Sequence, residues 1–246
     1  MHQVDYETLW QGKWNDTTIY GPACRHRRRI IRNLISKLPR QTILDLGCGD
    51  GSLLAEISGV FRSSKMEGMD ISDEALTIAR RNLPCIAFTR ADLNGTVRLK
   101  QTYDVIILSE VLEHLENDES LLRQIAPSCR SVVISVPGGP ADRVDARYGH
   151  MRNYPATAIV EKLNRCGFDL LLFKRWGWPL YDLQQRLAYP DKNAENAIAA
   201  GPYTLAGKII AKMVYAAYFL NWPGTGTQVF AVGRSAVNDP SANRHA

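Results

Sequence analysis

The stretch from Thr42 to Leu54 constrains this chain more than any other, because it joins two different periodicities through glycine. Thr42-Ile43-Leu44-Asp45-Leu46 is a short apolar run of the kind a buried strand presents, and Ser52 to Val60 is spaced for a helix. Between them Gly47, Gly49 and Gly51 punctuate Cys48 and Asp50. A turn of this kind permits backbone angles closed to other residues and lets a ligand lie directly against the main chain. Strand, tight turn and helix in this order belong to an open α/β sheet, which binds ligands at the carboxyl ends of its strands. A glycine turn with no ligand would carry the same spacing, so the residues around it have to narrow the choice. No Gly-Lys-Ser/Thr follows the glycines, which argues against a phosphate-binding loop. Asp45 and Asp50 would repel the pyrophosphate of a dinucleotide.

Three further motifs follow the turn: Met66-Glu67-Gly68-Met69-Asp70, Ala91-Asp92-Leu93 and Tyr103-Asp104-Val105-Ile106-Ile107-Leu108. Headed by Leu44-Asp45-Leu46-Gly47-Cys48-Gly49-Asp50-Gly51, the set resembles the class I S-adenosylmethionine (SAM) dependent methyltransferases over roughly residues 40 to 170. Within that class it is similar to methyltransferases of type 11/12 and of the ubiquinone pathway. The resemblance implies a Rossmann-like α/β fold: a seven-stranded, mostly parallel sheet with helices on both faces and an antiparallel last strand. It implies SAM as cofactor, a cationic sulfonium that suits the acidic loop. It also carries cofactor contact onto Asp45, Gly47, Cys48, Gly49, Asp70, Ile71, Asp92, Leu93, Ser109 and Glu110.

At 246 residues the chain can bury one substantial core, with room for an extension or lid but hardly for a second full domain. The expected organisation is a helical cover over residues 1–40, a catalytic domain over 41–236 with an insertion at about 176–225, and a disordered tail over 237–246. A formal charge of +5 permits contact with anionic membranes or nucleic acid without requiring it. Five scattered cysteines without a Cys-x-x-Cys pair argue against a disulfide framework and a zinc knuckle. The amino terminus lacks the basic-then-apolar pattern of a secretion signal, so a reducing cytoplasm is the expected compartment. No apolar run approaches the ~18 to 20 residues needed to span a bilayer.

Tyr6, Leu9, Trp10, Trp14 and Tyr20 suggest a short helix and loop laid over the domain. From about Ala23 to Leu38 the apolar residues follow helical spacing, with arginines at the other positions. Those arginines form a solvated face, or one of Arg25, His26 and Arg27 turns into the cleft toward the SAM carboxylate, as related methyltransferases arrange it. Asp70 ends a second strand about twenty residues beyond the glycines, placed to accept from a ribose diol; a turn aspartate before the capping Ser72 would look the same. Asp92 follows the third strand, Cys85 to Thr89, where similar methyltransferases place an acid against the adenine amino group; a surface-loop aspartate would look the same. Fourth and fifth strands are expected at Tyr103 to Leu108 and Ser131 to Val136, the latter broken by Pro137-Gly138-Gly139-Pro140. The sixth and last are expected at Phe168 to Arg175 and Gly226 to Arg234.

After the fourth strand, Glu110, Glu113 and His114 fall at i, i+3 and i+4, so a helical turn would project all three onto one side. Two carboxylates and an imidazole on one side could bind a divalent cation, and so oxygen-rich a set favours Mg2+ or Mn2+ over zinc. The pattern resembles metal-binding turns of ubiquinone-pathway and small-RNA methyltransferases; in metal-independent relatives the acids cap or salt-bridge the helix. Gly149-His150-Met151-Arg152 resembles the Gly-His-x-Arg turn of small-molecule and quinone-type methyltransferases, which implies His150 as general base or as fourth metal ligand; a loop histidine is otherwise simply solvated. Trp176, Trp178, Tyr181, Tyr189, Tyr203 and Tyr215 crowd the insertion before the last strand, which is read as the specificity element. Within it Leu205 to Leu220 suits an interfacial helix, a lid, or a helix packed on the core or on a second subunit of a homodimer.

The expected activity is methyl transfer from SAM to an oxygen of a small apolar or aromatic acceptor. An RNA-directed methyltransferase and a SAM-binding protein without transfer activity are the alternatives. The absence of an Asn-Pro-Pro-Tyr-type motif and of an RNA-binding module counts against nucleic acid as partner.

Overall fold

The apolar runs of the sequence become strands β1 Thr42–Leu46, β2 Lys65–Asp70, β3 Ala87–Arg90, β4 Tyr103–Ser109, β5 Cys129–Pro137, β6 Phe168–Trp176 and β7 Gln228–Ser235. They come from a computed structural model that describes residues 6–10, 15–139, 149–155, 157–188 and 202–238. Trp14, Pro140, Tyr189 and the tail beyond Asn238, each part of the expectations above, lie outside the described residues, as do the side chains of Tyr6 and Leu9. One sheet holds all seven strands in the order β3-β2-β1-β4-β5-β7-β6. β1 to β5 pair in parallel, and β7 runs antiparallel between β5 and β6. This is the Rossmann-like, mostly parallel sheet that the motifs imply.

Alternation along the central strands fixes two cores. Leu44, Leu46, Ile106, Leu108, Val132 and Ile134 face one side, where α6 (Asp118–Ile125) and α7 (Ala158–Arg165) cover them. Ile43, Val105, Ile107 and Val133 face the other, covered by α3 (Pro22–Ile35), α4 (Ser52–Val60) and α5 (Asp73–Asn82). Because β4 is buried on both faces, its run from Tyr103 to Leu108 is continuously apolar apart from Asp104. The Asp104 carboxylate is used at the amino-terminal ends of the adjacent central strands β1 and β4, where Oδ2 accepts from the Gln41 and Thr42 backbone N–H groups at 2.7 and 3.1 Å.

Several expected boundaries shift: the fifth strand runs Cys129–Pro137 instead of Ser131 to Val136, and the last starts at Gln228 instead of Gly226. The third strand begins at Ala87 instead of Cys85, because the chain still turns after α5, with Ile86 N–H donating to the Leu83 carbonyl. The arginine-rich helix α3 stops at Ile35, three residues short of Leu38, where the Ser36 and Leu38 N–H groups close the end. Two short helices, α1 (Tyr6–Trp10) and α2 (Asn15–Tyr20), precede it, and the insertion supplies α8 (Leu180–Ala188) and α9 (Leu205–Ala217). Among the described residues no helix is long and apolar enough to cross a membrane.

Candidate active site

The glycine turn sits at the carboxyl end of β1, where the neighbouring strand β2 holds it. Gly47 and Cys48 N–H groups donate to the Met69 carbonyl at 2.7 and 3.0 Å, and Gly49 N–H donates to Asp70 Oδ2 at 2.8 Å. Gly47 has φ 74°, and a Cβ there would meet Val111 Cγ2 at 2.4 Å, so neither the angle nor the space admits a side chain. Gly49 has φ 53°, and its Cβ would lie 2.8 Å from the ring of Trp10. Glycine here serves the close approach of α1 as well as that of a ligand.

A cleft of about 1130 Å³ opens over this turn. All ten residues assigned to the cofactor line it: Asp45, Gly47, Cys48, Gly49, Asp70, Ile71, Asp92, Leu93, Ser109 and Glu110. Asp45 is 1% exposed, and its Oδ1 has no hydrogen-bond partner. Burial, reinforced by Asp70 and Asp50, pushes its pKa well above the usual carboxylate range. Asp70 is also raised by burial, against the hydrogen bonds from Ser72 and Gly49 that oppose the shift. Three acids converging on one desolvated wall favour a cation there. Asp92 stands exposed at the rim, with Oδ1 accepting from Asn94 N–H at 2.9 Å, and Ile71 and Leu93 add apolar surface.

Glu110 departs from the sequence expectation. It has φ 57°, a left-handed angle that glutamate rarely adopts, and it precedes a 3-10 turn formed only by Leu112–His114. The one continuous helical turn that i, i+3, i+4 spacing presupposes is therefore not formed. The Glu110 carboxylate is instead engaged with Arg27 at 3.2 Å, with the Ser135 hydroxyl at 3.0 Å and with Gln228 Nε2 at 2.8 Å. Ser135 Oγ lies 3.1 Å from Ser109 Oγ, extending the network across the ends of β4 and β5. Of Arg25, His26 and Arg27, Arg27 is the one that reaches the cleft. His26 is wholly buried and Arg25 lies over the Tyr215 ring. Sequence reasoning missed Ser135 and Gln228; their only signal was a polar residue within or at the head of an otherwise apolar strand.

Glu113, His114 and His150 do converge, with one ligating atom of each within 4.8 Å of the others. The imidazoles of His114 and His150 meet edge to face, 4.8 Å between ring centres. Met151 N–H donates to the Glu113 carbonyl at 2.7 Å, which ties the His150 segment to the turn. Both histidines line the cleft; Glu113 lies beneath it, fully buried, and neither carboxylate oxygen has a hydrogen-bond partner. Burial, then the nearby Glu110, raises the Glu113 pKa far above the usual range, and burial, then His150, lowers that of His114 to about 4. A fully buried carboxyl such as that of Glu113 is either protonated or facing a cation.

The aromatic insertion forms the opposite wall, with Tyr181, Tyr203 and Tyr218 in the cleft. Asp182 secures it to β7 by accepting from the Thr227 hydroxyl at 2.7 Å and its N–H at 3.2 Å. Trp176, Trp178 and Tyr215, from the same aromatic set, do not reach the cleft.

A glycine turn among acids at the carboxyl ends of β1, β2 and β4, in a sheet whose β7 is antiparallel, defines the class I SAM-dependent methyltransferases. A family model described as a methyltransferase domain matches residues 23–173, and the chain belongs to that family. It is 28% identical over 129 residues to a malonyl-[acyl-carrier protein] O-methyltransferase of Bacillus cereus, covering 48% of each protein. Over 147 residues it is 28% identical to a ubiquinone biosynthesis O-methyltransferase of Proteus mirabilis, covering 56% of this chain and 57% of that one. The chain thus spans about half the length of the curated relatives it matches. The fold is similar to that of the N-methyltransferase NodS from Bradyrhizobium japonicum, solved with S-adenosylhomocysteine: TM-score 0.61 and 13% identity, covering 93% of this chain and 95% of that one. The family match ends at residue 173, before the aromatic insertion.

Proposed function

We propose that this chain transfers the methyl group of SAM to an oxygen of a small apolar or aromatic acceptor. The observation that carries the reading is a single cleft lined by the acidic glycine turn, the ends of β2 and β4, His150 and the aromatic insertion. SAM is already activated by its positive sulfur, so the reaction is an in-line displacement at a methyl group and the cofactor supplies the electrophile. The chain contributes position. Asp45, Asp50 and Asp70 give the cationic ligand its electrostatic preference. Asp70 accepts from the ribose hydroxyls, Ile71 and Leu93 flank the adenine, and Asp92 takes its amino group. Alignment of donor and acceptor is worth ~7 to 11 kcal/mol of barrier at the effective molarities of well-oriented intramolecular reactions. His150 receives the acceptor's proton, adding about 10²- to 10⁴-fold. Both relatives above carry O-methyltransferase names, which supports oxygen as the receiving atom.

A second reading, of a metal-assisted acceptor site, is favoured by Glu113. A fully buried carboxylate with two unpartnered oxygens beside two imidazoles is a fitting donor set for a divalent cation. With Glu110 engaged elsewhere the set is one oxygen and two nitrogens, which moves the preference from Mg2+ toward Mn2+ or another transition metal. A bound ion would favour the acceptor's oxyanion.

Isothermal titration with SAM and S-adenosylhomocysteine, then donor turnover over hydroxyl, carboxyl and amine acceptors, tests the proposal. Tight cofactor binding with no turnover on any acceptor would sink the transferase reading and leave a SAM-binding protein.

A further inference from the structure

The outer face of the insertion is apolar where a solvated helix should be polar. α9 packs one side on α3, yet Leu205 is 78% exposed, Ile210 60% and Met213 67%, and just beyond the helix Leu220 is 72% and Trp222 60% exposed. Leu205, Ile209, Met213 and Leu220 lie along one stripe of the helix and its 3-10 extension at Tyr218–Leu220. Large exposed apolar stripes of this kind mark interaction surfaces. What they face is indicated by charge. The residues from 196 to 238 contain no aspartate or glutamate. Along one edge of the stripe stand Lys208 and the exposed Lys212. Beside them Arg25 lies 3.8 Å from the centre of the Tyr215 ring and Arg29 4.4 Å from that of Phe219. Lys208 alone of these is near a carboxylate, 3.9 Å from Asp16; among the described residues Arg25, Arg29 and Lys212 form no ion pair. Lys174 extends the positive edge, its own charge disfavoured by burial and by Arg29 and Lys37.

We propose that this face docks on anionic lipid bilayers, with Leu205, Ile209, Met213, Leu220 and Trp222 entering the acyl boundary and the basic edge resting on the headgroups. An apolar stripe beside a basic edge, with an exposed tryptophan near its end, is the pattern of an interfacial helix. A second copy of the chain fits less well. Twofold pairing would set the stripe and its basic edge against themselves, and this segment offers no acid to answer the lysines. The inner side of the same insertion lines the cleft through Tyr203 and Tyr218, so docking would bring the cleft's aromatic wall close to the bilayer.

The test uses the full chain and vesicles of phosphatidylcholine alone or with phosphatidylglycerol, read by co-flotation at low and physiological salt. It needs neither SAM nor an acceptor, so its outcome is separate from that of the transferase reading. We expect flotation with the anionic vesicles, weakened by salt because exposed charges are screened over ~8 Å at 0.15 M. Met213→Asp and Leu220→Asp alter exposed side chains and should abolish it while circular dichroism and thermal midpoint stay unchanged. Lys212→Glu should weaken it on the order of tenfold or more, since each cation near an anionic surface counts about fivefold. Absence of flotation at low salt overturns the proposal. So does a stable dimer in light scattering that Met213→Asp splits while vesicle binding is nil, which would give the face to a second copy.

Discussion

Asp70 and Gly47 illustrate how much a single position can be asked to do at the glycine turn. Asp70 holds the Gly49 and Ser72 N–H groups at 2.8 and 3.0 Å, so it orders the turn before any ligand arrives. Asp70→Ala should weaken SAM binding by ~1 to 3 kcal/mol, the cost of leaving buried partners unsatisfied, as read by titration calorimetry. Wild-type affinity in that variant would remove Asp70 as the ribose ligand. At the acceptor end, His150→Ala should lower kcat by about 10²- to 10⁴-fold with SAM affinity retained. Glu113→Gln divides the two mechanistic readings because it keeps the shape of the side chain and removes its capacity for charge. If a cation binds there, the variant loses metal affinity, and chelator abolishes wild-type activity until Mn2+ is restored. If the carboxyl is instead protonated, the neutral amide replaces a neutral acid and turnover changes little; full wild-type activity in chelator would dismiss the metal. Residue identities at this site were legible wherever a motif fixed them. The engagement of Glu110 was not, because a positive φ on a glutamate leaves no trace in spacing, and its partners Arg27, Ser135 and Gln228 come from three distant elements.

At the scale of elements, the contact between α3 and α9 turns on His26. Its ring is fully buried, nearly parallel to Trp176 at 5.2 Å, with Nε2 2.8 Å from the Tyr215 carbonyl and Nδ1 3.0 Å from Arg29 Nη2. The neutral tautomer that donates from Nε2 and accepts at Nδ1 satisfies both partners; a second proton would face the guanidinium. Burial, with help from Arg29 and Arg25 and against the Tyr215 hydrogen bond, lowers its pKa to about 4. The folded value lies below the unfolded ~6.5, so the unfolded chain binds the extra proton between them. Stability is therefore full above that window and declines as pH falls from ~6.5 toward 4, by up to roughly 3 kcal/mol. Denaturant unfolding at pH 7 and pH 5 should show the decline, and His26→Gln should flatten it; equal midpoints for the wild type would contradict the assignment. The strands and α4 were readable because short apolar runs, the bounding glycines and segment length agreed there. The role of His26 was not: in sequence it is one basic residue among arginines, and only the contact with a helix 189 positions away makes it core.

For the molecule as a whole, the sheet order and its cleft follow from a few motifs, whereas closure of the cleft does not. Aromatic residues near the amino terminus suggest a cover, but nothing in their spacing says what they cover. In the structure α1 lies on the cofactor turn: Trp10 packs against Gly49, and Glu7 accepts from the Ser72 hydroxyl and from the Asp73 and Glu74 N–H groups at the start of α5. α2 adds the Thr18 hydroxyl on Asp50 Oδ2 at 2.7 Å. The cover thus grips the two loops that follow β1 and β2, and SAM bound between them would be enclosed by Trp10. A side chain that closes over a bound ligand affects release more than encounter, because affinity changes in related complexes reside mainly in the off-rate. Trp10→Ala should therefore raise the SAM dissociation rate, on the order of tenfold, with a smaller change in the association rate. Glu7→Gln should act in the same direction by loosening the grip on α5. The Glu7 pKa is lowered: burial opposes the shift, and hydrogen bonds with Glu74, Ser72 and Asp73 outweigh it. A lowered carboxylate contributes fully above its unfolded value near 4.5, and its contribution is lost as pH falls through the folded one. Stopped-flow release of SAM at pH 7 would show the effect of both substitutions. At acid pH the wild type should approach the Glu7→Gln rate; unchanged release in Trp10→Ala would mean that α1 rests on the turn without closing it.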